Sequence, residues 1–197
     1  MKFSSIAQTS AIAVLLLSST VEAIPFQLKG MTLGSTPEVA CGSAPITDSR
    51  GDLIKKYKAE APQLDEMGTK ECGVEINTFG GSKTSSTAKL LFLDGKLILL
   101  KIELFNLALA DFVEILKAMT ADYGKPKRTI SRPFVTDTWK ADGATLLMER
   151  VGREWDDNHA TIILRHDSAY STYERRNKAN LRILEALDRS AVKKDIR

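Results

Sequence analysis

Two cysteines, Cys41 and Cys72, are the residues of this sequence best suited to form a specific covalent bond. In an oxidising compartment they can pair completely, so we predict one disulfide. By restricting the unfolded chain, a bridge across a loop of this length stabilises the folded protein by roughly 3–4 kcal/mol. A reactive thiol is the alternative. The sequence has no Cys-x-x-Cys motif and no histidine near either cysteine that would lower a thiol pKa, which favours the disulfide.

Metal-ligand residue types are concentrated at residues 155–159, with His166 a short distance beyond. Oxygen and imidazole ligands must converge within a few ångströms of one ion. The apolar residues between His159 and His166 predict a strand, which places the two imidazoles on opposite faces and roughly 23 Å apart. We therefore predict a polar loop and no metal site. Calcium held by Asp156 and Asp157 is the alternative.

Catalytic motifs in the sequence are incomplete. Residues 80–84 read Gly-Gly-Ser-Lys-Thr, but a phosphate-binding loop needs Gly-x-x-x-x-Gly-Lys and then Ser or Thr, between a strand and a helix. No serine lies in a Gly-x-Ser-x-Gly elbow. We predict no catalytic residue, no cofactor and no enzymatic activity. A hydrolase that uses two carboxylates is the enzymatic alternative, because such a pair is defined by distance in space rather than by sequence spacing.

Residues 1–23 have the three parts of a secretory signal. Lys2 precedes an apolar run at 12–17, and the small residues Val21 and Ala23 stand at the positions that signal peptidase reads. The apolar run is shorter than the ~20 residues that a membrane-spanning helix needs. We therefore predict cleavage after Ala23 and a periplasmic or secreted protein. A buried N-terminal helix is the alternative.

The composition is that of an ordinary globular protein, with 197 residues, 43% of them hydrophobic and 27% charged. The formal net charge is only +3, which does not favour nucleic acid as a partner. The basic residues are distributed unevenly, because residues 174–197 contain eight basic and four acidic side chains. The C-terminal segment therefore carries a formal net charge of +4 (eight basic minus four acidic residues).

Apolar periodicity, glycines and prolines predict two similar halves. The first half has one short helix that begins near Pro37, a second that spans 52–61, and then three strands. These strands are 74–79, 88–93 and 96–104. The second half has a helix over 107–123 and then three more strands. They are 132–139, 144–151 and 160–165. Asp-Gly pairs at 94–95 and 142–143 predict tight turns.

The predicted fold is therefore α+β, with two halves that each contain a helix and a three-stranded antiparallel meander. Their boundaries are 24–105 and 106–170. A C-terminal amphipathic helix occupies 171–197.

Two segments carry a resemblance to known families. A pattern of helix, glycine-proline and strand occurs twice. Its first occurrence is Leu-Gly-Ser-Thr-Pro-Glu-Val at 33–39, followed by Gly42. Its second is Tyr-Gly-Lys-Pro at 123–126, which leads to Trp139. This pattern resembles the small outer-membrane lipoproteins of the β-barrel assembly machinery and the tandem-repeat β-lactamase-inhibitor proteins. The sequence departs from them in lacking a lipid-anchor cysteine and in spacing its halves unequally. The resemblance implies a non-catalytic module that binds protein, and it transfers no site residue.

The predicted hairpin over 88–104 is apolar on both faces. A two-residue turn pairs residue 93 with 96 and 92 with 97, which sorts the side chains by face. One face carries Leu90, Phe92, Leu97 and Leu99. The other carries Leu91, Leu93, Ile98, Leu100 and Ile102. We favour internal cover of both faces, because exposed apolar strands aggregate; a partner site on the Leu90 face is the alternative.

The C-terminal helix is predicted to have a basic face and an apolar face. The basic face carries Arg175, Lys178, Arg182, Arg189 and Lys193. The apolar face carries Leu181, Leu184, Leu187 and Ala191. We expect the apolar face to pack on the rest of the chain, with contact between the basic face and an anionic membrane as the alternative.

These observations predict an exported, non-catalytic protein-binding or inhibitory module of the bacterial envelope. Its partner would be an unknown envelope protein rather than nucleic acid. Peripheral membrane contact through the basic helix and the carboxylate-dependent hydrolase are the alternatives.

The export signal makes a direct prediction about the mature protein. Purified native protein is expected to begin at Ile24, because signal peptidase requires small residues at the third and first positions before the cut. N-terminal sequencing measures this. An exported protein that retains Met1 would contradict it.

Overall fold

The computed structural model describes residues 26–151 and 159–195. The predicted export signal and the predicted polar loop with Asp156 and Asp157 lie outside these residues. The described chain has the predicted α+β fold. Its elements in chain order are β1 (Gln27–Leu28), β2 (Met31–Thr32), α1 (Pro37–Cys41), α2 (Ser49–Tyr57), β3 (Thr69–Phe79), β4 (Ser82–Leu93), β5 (Lys96–Leu104), α3 (Leu109–Tyr123), β6 (Lys127–Ser131), β7 (Phe134–Ala141), β8 (Ala144–Val151), β9 (Ala160–His166) and α4 (Asp167–Asp195).

Strands β3 to β9 form one antiparallel sheet with the order β3-β4-β5-β9-β8-β7-β6, and β1 pairs with β2 separately. The two predicted meanders therefore join edge to edge through β5 and β9. The second meander has four strands rather than the predicted three, because β6 adds an edge strand. All residues of β6 are exposed, so it lacks the apolar alternation by which strands are recognised in a sequence.

A two-glycine turn joins β3 to β4, where a longer loop was predicted. Phe79 pairs with Ser82, and Gly80 and Gly81 have φ values of +55° and +87°, which favour glycine. A Cβ on Gly80 would lie 2.7 Å from Cγ1 of Ile115. Glycine at this position therefore also allows α3 to approach the hairpin closely.

A bulge at Ile98 corrects the predicted faces of the β4–β5 hairpin. Phe92 pairs with Leu97 as predicted, but the next pair is Leu91 with Leu99 rather than with Ile98. The extra residue reverses the alternation of side chains beyond it. The predicted face is therefore wrong for Leu99 and for the residues that follow it in β5.

The sheet face that carries Phe92, here called the inner face, forms the larger core. Helices α1 and α3 and the β1–β2 hairpin pack on it. Its fully or nearly fully buried residues include Leu90, Leu97, Leu100, Ile102, Leu146, Ile162 and Leu164. Strands of both halves contribute to this core, so the halves share one hydrophobic interior.

The opposite face, here called the outer face, is covered at one end by a second core. Ile54 of α2, Leu64 and Met67 of the following segment, and Tyr173 of α4 pack with Leu91 there. The predicted helix over 52–61 ends at Tyr57, and its Leu53 is exposed. The apolar residues on both faces of the β4–β5 hairpin are thus covered by the same chain, as we favoured.

Helix α4 is fixed on this second core by a buried amide. Asn180 Nδ2 donates to the carbonyl of Asp65 at 2.9 Å, and Asn180 Oδ1 accepts from the Asp65 N–H at 3.0 Å. The side chain therefore satisfies both backbone groups of a residue that belongs to no strand or helix. Leu184 and Leu187 pack on the second core, whereas Leu181 is 45% exposed and the prediction was wrong for it.

The disulfide between Cys41 and Cys72 is present, with a Cα–Cα distance of 6.2 Å. It joins the end of α1 to the edge strand β3. Thr47 and Glu71 lie beside it and exchange two backbone hydrogen bonds of 2.8 Å. This edge of the sheet is therefore partly capped by the chain itself.

Two phenylalanines, one in the β4–β5 hairpin and one directly after it, test the assignment of the inner core. Phe92→Ala should lower the free energy of unfolding by about 3–5 kcal/mol, because Phe92 is 0% exposed and the change leaves a cavity. Phe105→Ala is the matched control, since Phe105 is 55% exposed, and should cost less than about 1 kcal/mol. Urea unfolding of both variants measures the difference. Equal losses would contradict this assignment.

Candidate functional site

The hairpin residues that the sequence offered as a partner surface are not accessible. Leu90, Phe92 and Leu97 lie in the inner core and are at most 1% exposed. Leu99 lies on the other face and packs against the second core. The chain itself already covers these four apolar residues, so we place no binding site on them.

One surface available for binding is the part of the outer face that α2 and α4 leave uncovered, here called the open face. Because paired residues point to the same side of a sheet, two rows of side chains cross it. The first row is Gly73, Lys89, Lys101, Ile163, Leu147, Thr138 and Lys127. The second row is Glu103, Thr161, Glu149, Thr136 and Thr129. None of these residues is buried.

The centre of the open face is apolar. Ile163 and Leu147 are direct partners on β9 and β8, both are half-buried, and neither belongs to one of the two cores. Threonines flank them on β7 and β9, where branched side chains suit a half-exposed sheet. The face is therefore a mixed surface with an apolar centre and a polar surround, which is the anatomy of a protein interface.

Lysines and a glutamate form the charged side of the open face. Lys101 Nζ lies 2.8 Å from Glu103 Oε1, and Lys89 Nζ lies 3.4 Å from Glu103 Oε2. The hydrogen bond from Lys101 is the largest cause that lowers the pKa of Glu103, and burial opposes it. Glu103 is thus held as a carboxylate near neutral pH and is poorly suited to act as a general acid.

An aromatic corner lies at one end of the open face. The rings of Phe105 and His159 stack with centroids 4.8 Å apart and planes at 11°. Phe105 also lines a depression of about 370 Å³ together with Glu75, Thr87 and Lys89. Sequence reasoning treated His159 as a metal-type residue, and it gave no attention to Phe105.

The basic residues predicted on α4 do face outward. Arg175, Lys178, Arg182 and Arg189 are at least partly exposed, while the side chain of Lys193 lies outside the described part of the chain. They are separated from the open face, since α4 covers the other end of the outer face with its opposite side. The basic face of α4 and the open face are therefore separate exposed surfaces, and the sequence predicted only the first of them.

Comparisons add no family assignment. No protein-family model, curated protein or solved structure matches the chain. In residues 26–151 and 159–195, no three His, Cys, Asp or Glu side chains are grouped so that they could hold a metal ion. No helix in these ranges is both long and apolar enough to cross a membrane.

The charged side of the open face makes a pH prediction. In the folded protein Glu103 should titrate below its ordinary value of 4.5, and Lys101→Gln should raise its pKa more than Lys89→Gln does. Because the folded-state pKa is lowered, the stabilisation by this pair is present at neutral pH and lost as pH falls through the folded pKa. Carboxyl NMR titration measures the pKa. An unchanged midpoint in Lys101→Gln would contradict the assignment.

Proposed function

We propose that this protein is an exported, non-catalytic binding module that holds a partner protein on the open face of its sheet. The observation that carries the proposal is the open face itself. It crosses seven strands, which corresponds to about 29 Å at the spacing of neighbouring strands. This width is comparable with that of a standard protein interface, which buries about 800 Å² on each partner.

The chemistry of the open face also supports protein binding. Leu147 and Ile163 supply an apolar centre, and threonine, lysine and glutamate side chains around them can form hydrogen bonds or ion pairs at a polar rim. The face is built on strands whose other side is fixed in the inner core. It is therefore a rigid surface that loses little conformational entropy when a partner binds.

Support for export comes from the disulfide and from the signal-like first 23 residues. The bond between Cys41 and Cys72 is of a kind that persists mainly in oxidising compartments. The proposal of a non-catalytic role rests on the incomplete catalytic motifs of the sequence.

The exposed basic face of α4 supports a second candidate function, peripheral contact with an anionic membrane. Arg175, Lys178, Arg182 and Arg189 each contribute attraction of about 1 kcal/mol when held near such a surface. The apolar side of α4 packs on the second core, so attraction would be mainly electrostatic and would weaken at high salt.

Two double variants separate these functions. Thr136→Arg/Thr161→Arg places long side chains on the open face, and we expect it to abolish capture of the native partner from the cell envelope by steric blockage. Arg175→Glu/Lys178→Glu alters only α4 and is the matched control, with capture retained. Both sites are outside the cores, so the melting temperature should stay nearly unchanged.

Affinity capture with each variant, followed by sedimentation with anionic vesicles, reads out the result. Capture that survives the open-face variant would contradict the proposal. Salt-sensitive vesicle binding that is lost only in the α4 variant would instead favour the membrane function.

A further inference from the structure

The strand β6 presents an unpaired sheet edge. It is the last strand of the sheet order, and no other strand of the described residues pairs with its outer side. In an antiparallel sheet alternate residues direct their N–H and C=O groups away from the neighbouring strand. All five residues of β6 are exposed, so these groups are open to an incoming chain. The opposite edge differs, because the disulfide and Thr47 partly cap β3.

The β6–β7 hairpin is strongly basic. Residues 125–141 contain five basic side chains and one acidic side chain. The acidic one, Asp137, is 1% exposed and is already occupied by Arg128, whose Nε and Nη2 lie 2.8 Å from its two oxygens. The remaining basic residues are Lys125, Lys127, Arg132 and Lys140, and all four are exposed.

The edge is held in place before any partner arrives. The double hydrogen bond between Arg128 and Asp137 ties β6 to β7, and Asp137 raises the pKa of Arg128. Trp139 Nε1 donates to the carbonyl of Gly124 at 2.7 Å, which anchors the chain just before β6. An added strand would therefore meet a preformed template and would lose little affinity to the ordering of β6.

We propose that β6 is a docking strand, on which an extended segment of a partner protein with alternating acidic and apolar residues adds as an eighth strand. Main-chain hydrogen bonds to β6 supply affinity, and side chains supply specificity. On the open-face side the acidic residues meet Lys127. On the opposite side the apolar residues meet Ile130, which is 68% exposed.

Two other roles of this edge, protection against aggregation and pairing with a second copy of the chain, fit its residues less well than docking does. Lysines on an edge strand can simply prevent edge-to-edge aggregation, but a large exposed apolar residue such as Ile130 at the same edge works against that role. A second copy of the chain pairing β6 with β6 would place two strongly basic hairpins side by side, and repulsion between their like charges disfavours this. The docking strand goes beyond the proposed function, because it concerns the edge of the sheet and not its open face.

The probe is a soluble peptide of four Glu-Val repeats, with the Lys-Val analogue as the charge control. We expect the Glu-Val peptide to bind at low salt and to slow amide exchange in β6, while the Lys-Val peptide does not bind. Lys127→Glu/Arg132→Glu should weaken binding at least tenfold. Arg175→Glu/Lys178→Glu, which changes the net charge equally, should alter it less than twofold.

Two N-methylated peptides distinguish strand addition from simple charge attraction. One carries methyl groups on the valine amides and the other on the glutamate amides. Only one set of amides faces β6 in an added strand, so one peptide should lose binding and the other should keep it. Equal binding of both peptides, protection outside β6, or equal weakening by both double variants would overturn the proposal. Tighter binding of an eight-residue oligothymidylate at the same edge would do so too, and would indicate a general anion surface.

Discussion

The pairing of β5 with β9 is the constraint on which the rest of the fold depends. Leu100 pairs with Leu164 and Ile102 with Ile162, and all four side chains are fully buried on the inner face. Burial of each of these side chains removes apolar surface from water and stabilises the folded protein by roughly 1.5–3 kcal/mol. Without this ladder the two meanders would be separate small sheets, each with an exposed apolar edge strand at the position where they now meet.

The position of β9 in turn decides which part of the outer face is covered. Helix α4 begins at Asp167, directly after β9, and is held to the sheet by the bond from Thr145 Oγ1 to Asp167 Oδ2 at 2.8 Å. From there it crosses the β4–β5 end of the sheet, where Asn180 fixes it to Asp65. The helices α2 and α4 thus cover only the β4–β5 end of the outer face. The rows through Lys101 and Glu103 remain open because no described element is long enough, or correctly placed, to reach them.

Much of the fold could be predicted because its signals are local. The apolar repeat of α3 with Gly124 at its end, the Asp-Gly turns at 94–95 and 142–143, and the complete bounds of β5 and β8 followed from residues close in sequence. The disulfide followed from there being two cysteines in a chain that we predicted to be exported. These features need no knowledge of distant contacts.

The features that the sequence did not reveal depend on distant partners. The bulge at Ile98 places Leu97 and Leu100 in the inner core and Leu99 against the second core, and the two-residue turn alone does not predict it. Leu181 matches the apolar spacing of α4, yet it is exposed because the packing face is set by the second core. The open face could not be derived as a whole, since its two rows of side chains cross both meanders only because β5 pairs with β9.

The same dependence on a distant partner explains why β6 was missed and why it remains an edge. Its residues make no apolar stripe, so β6 is held by its backbone pairing with β7 and by the two hydrogen bonds from Arg128 to the buried Asp137, rather than by hydrophobic area. A strand held in this way can keep its outer side polar, basic and free of cover. The sheet therefore ends in a fixed edge whose exposed residues do not contribute to the stability of the core, and those residues are free to be specialised for an incoming chain.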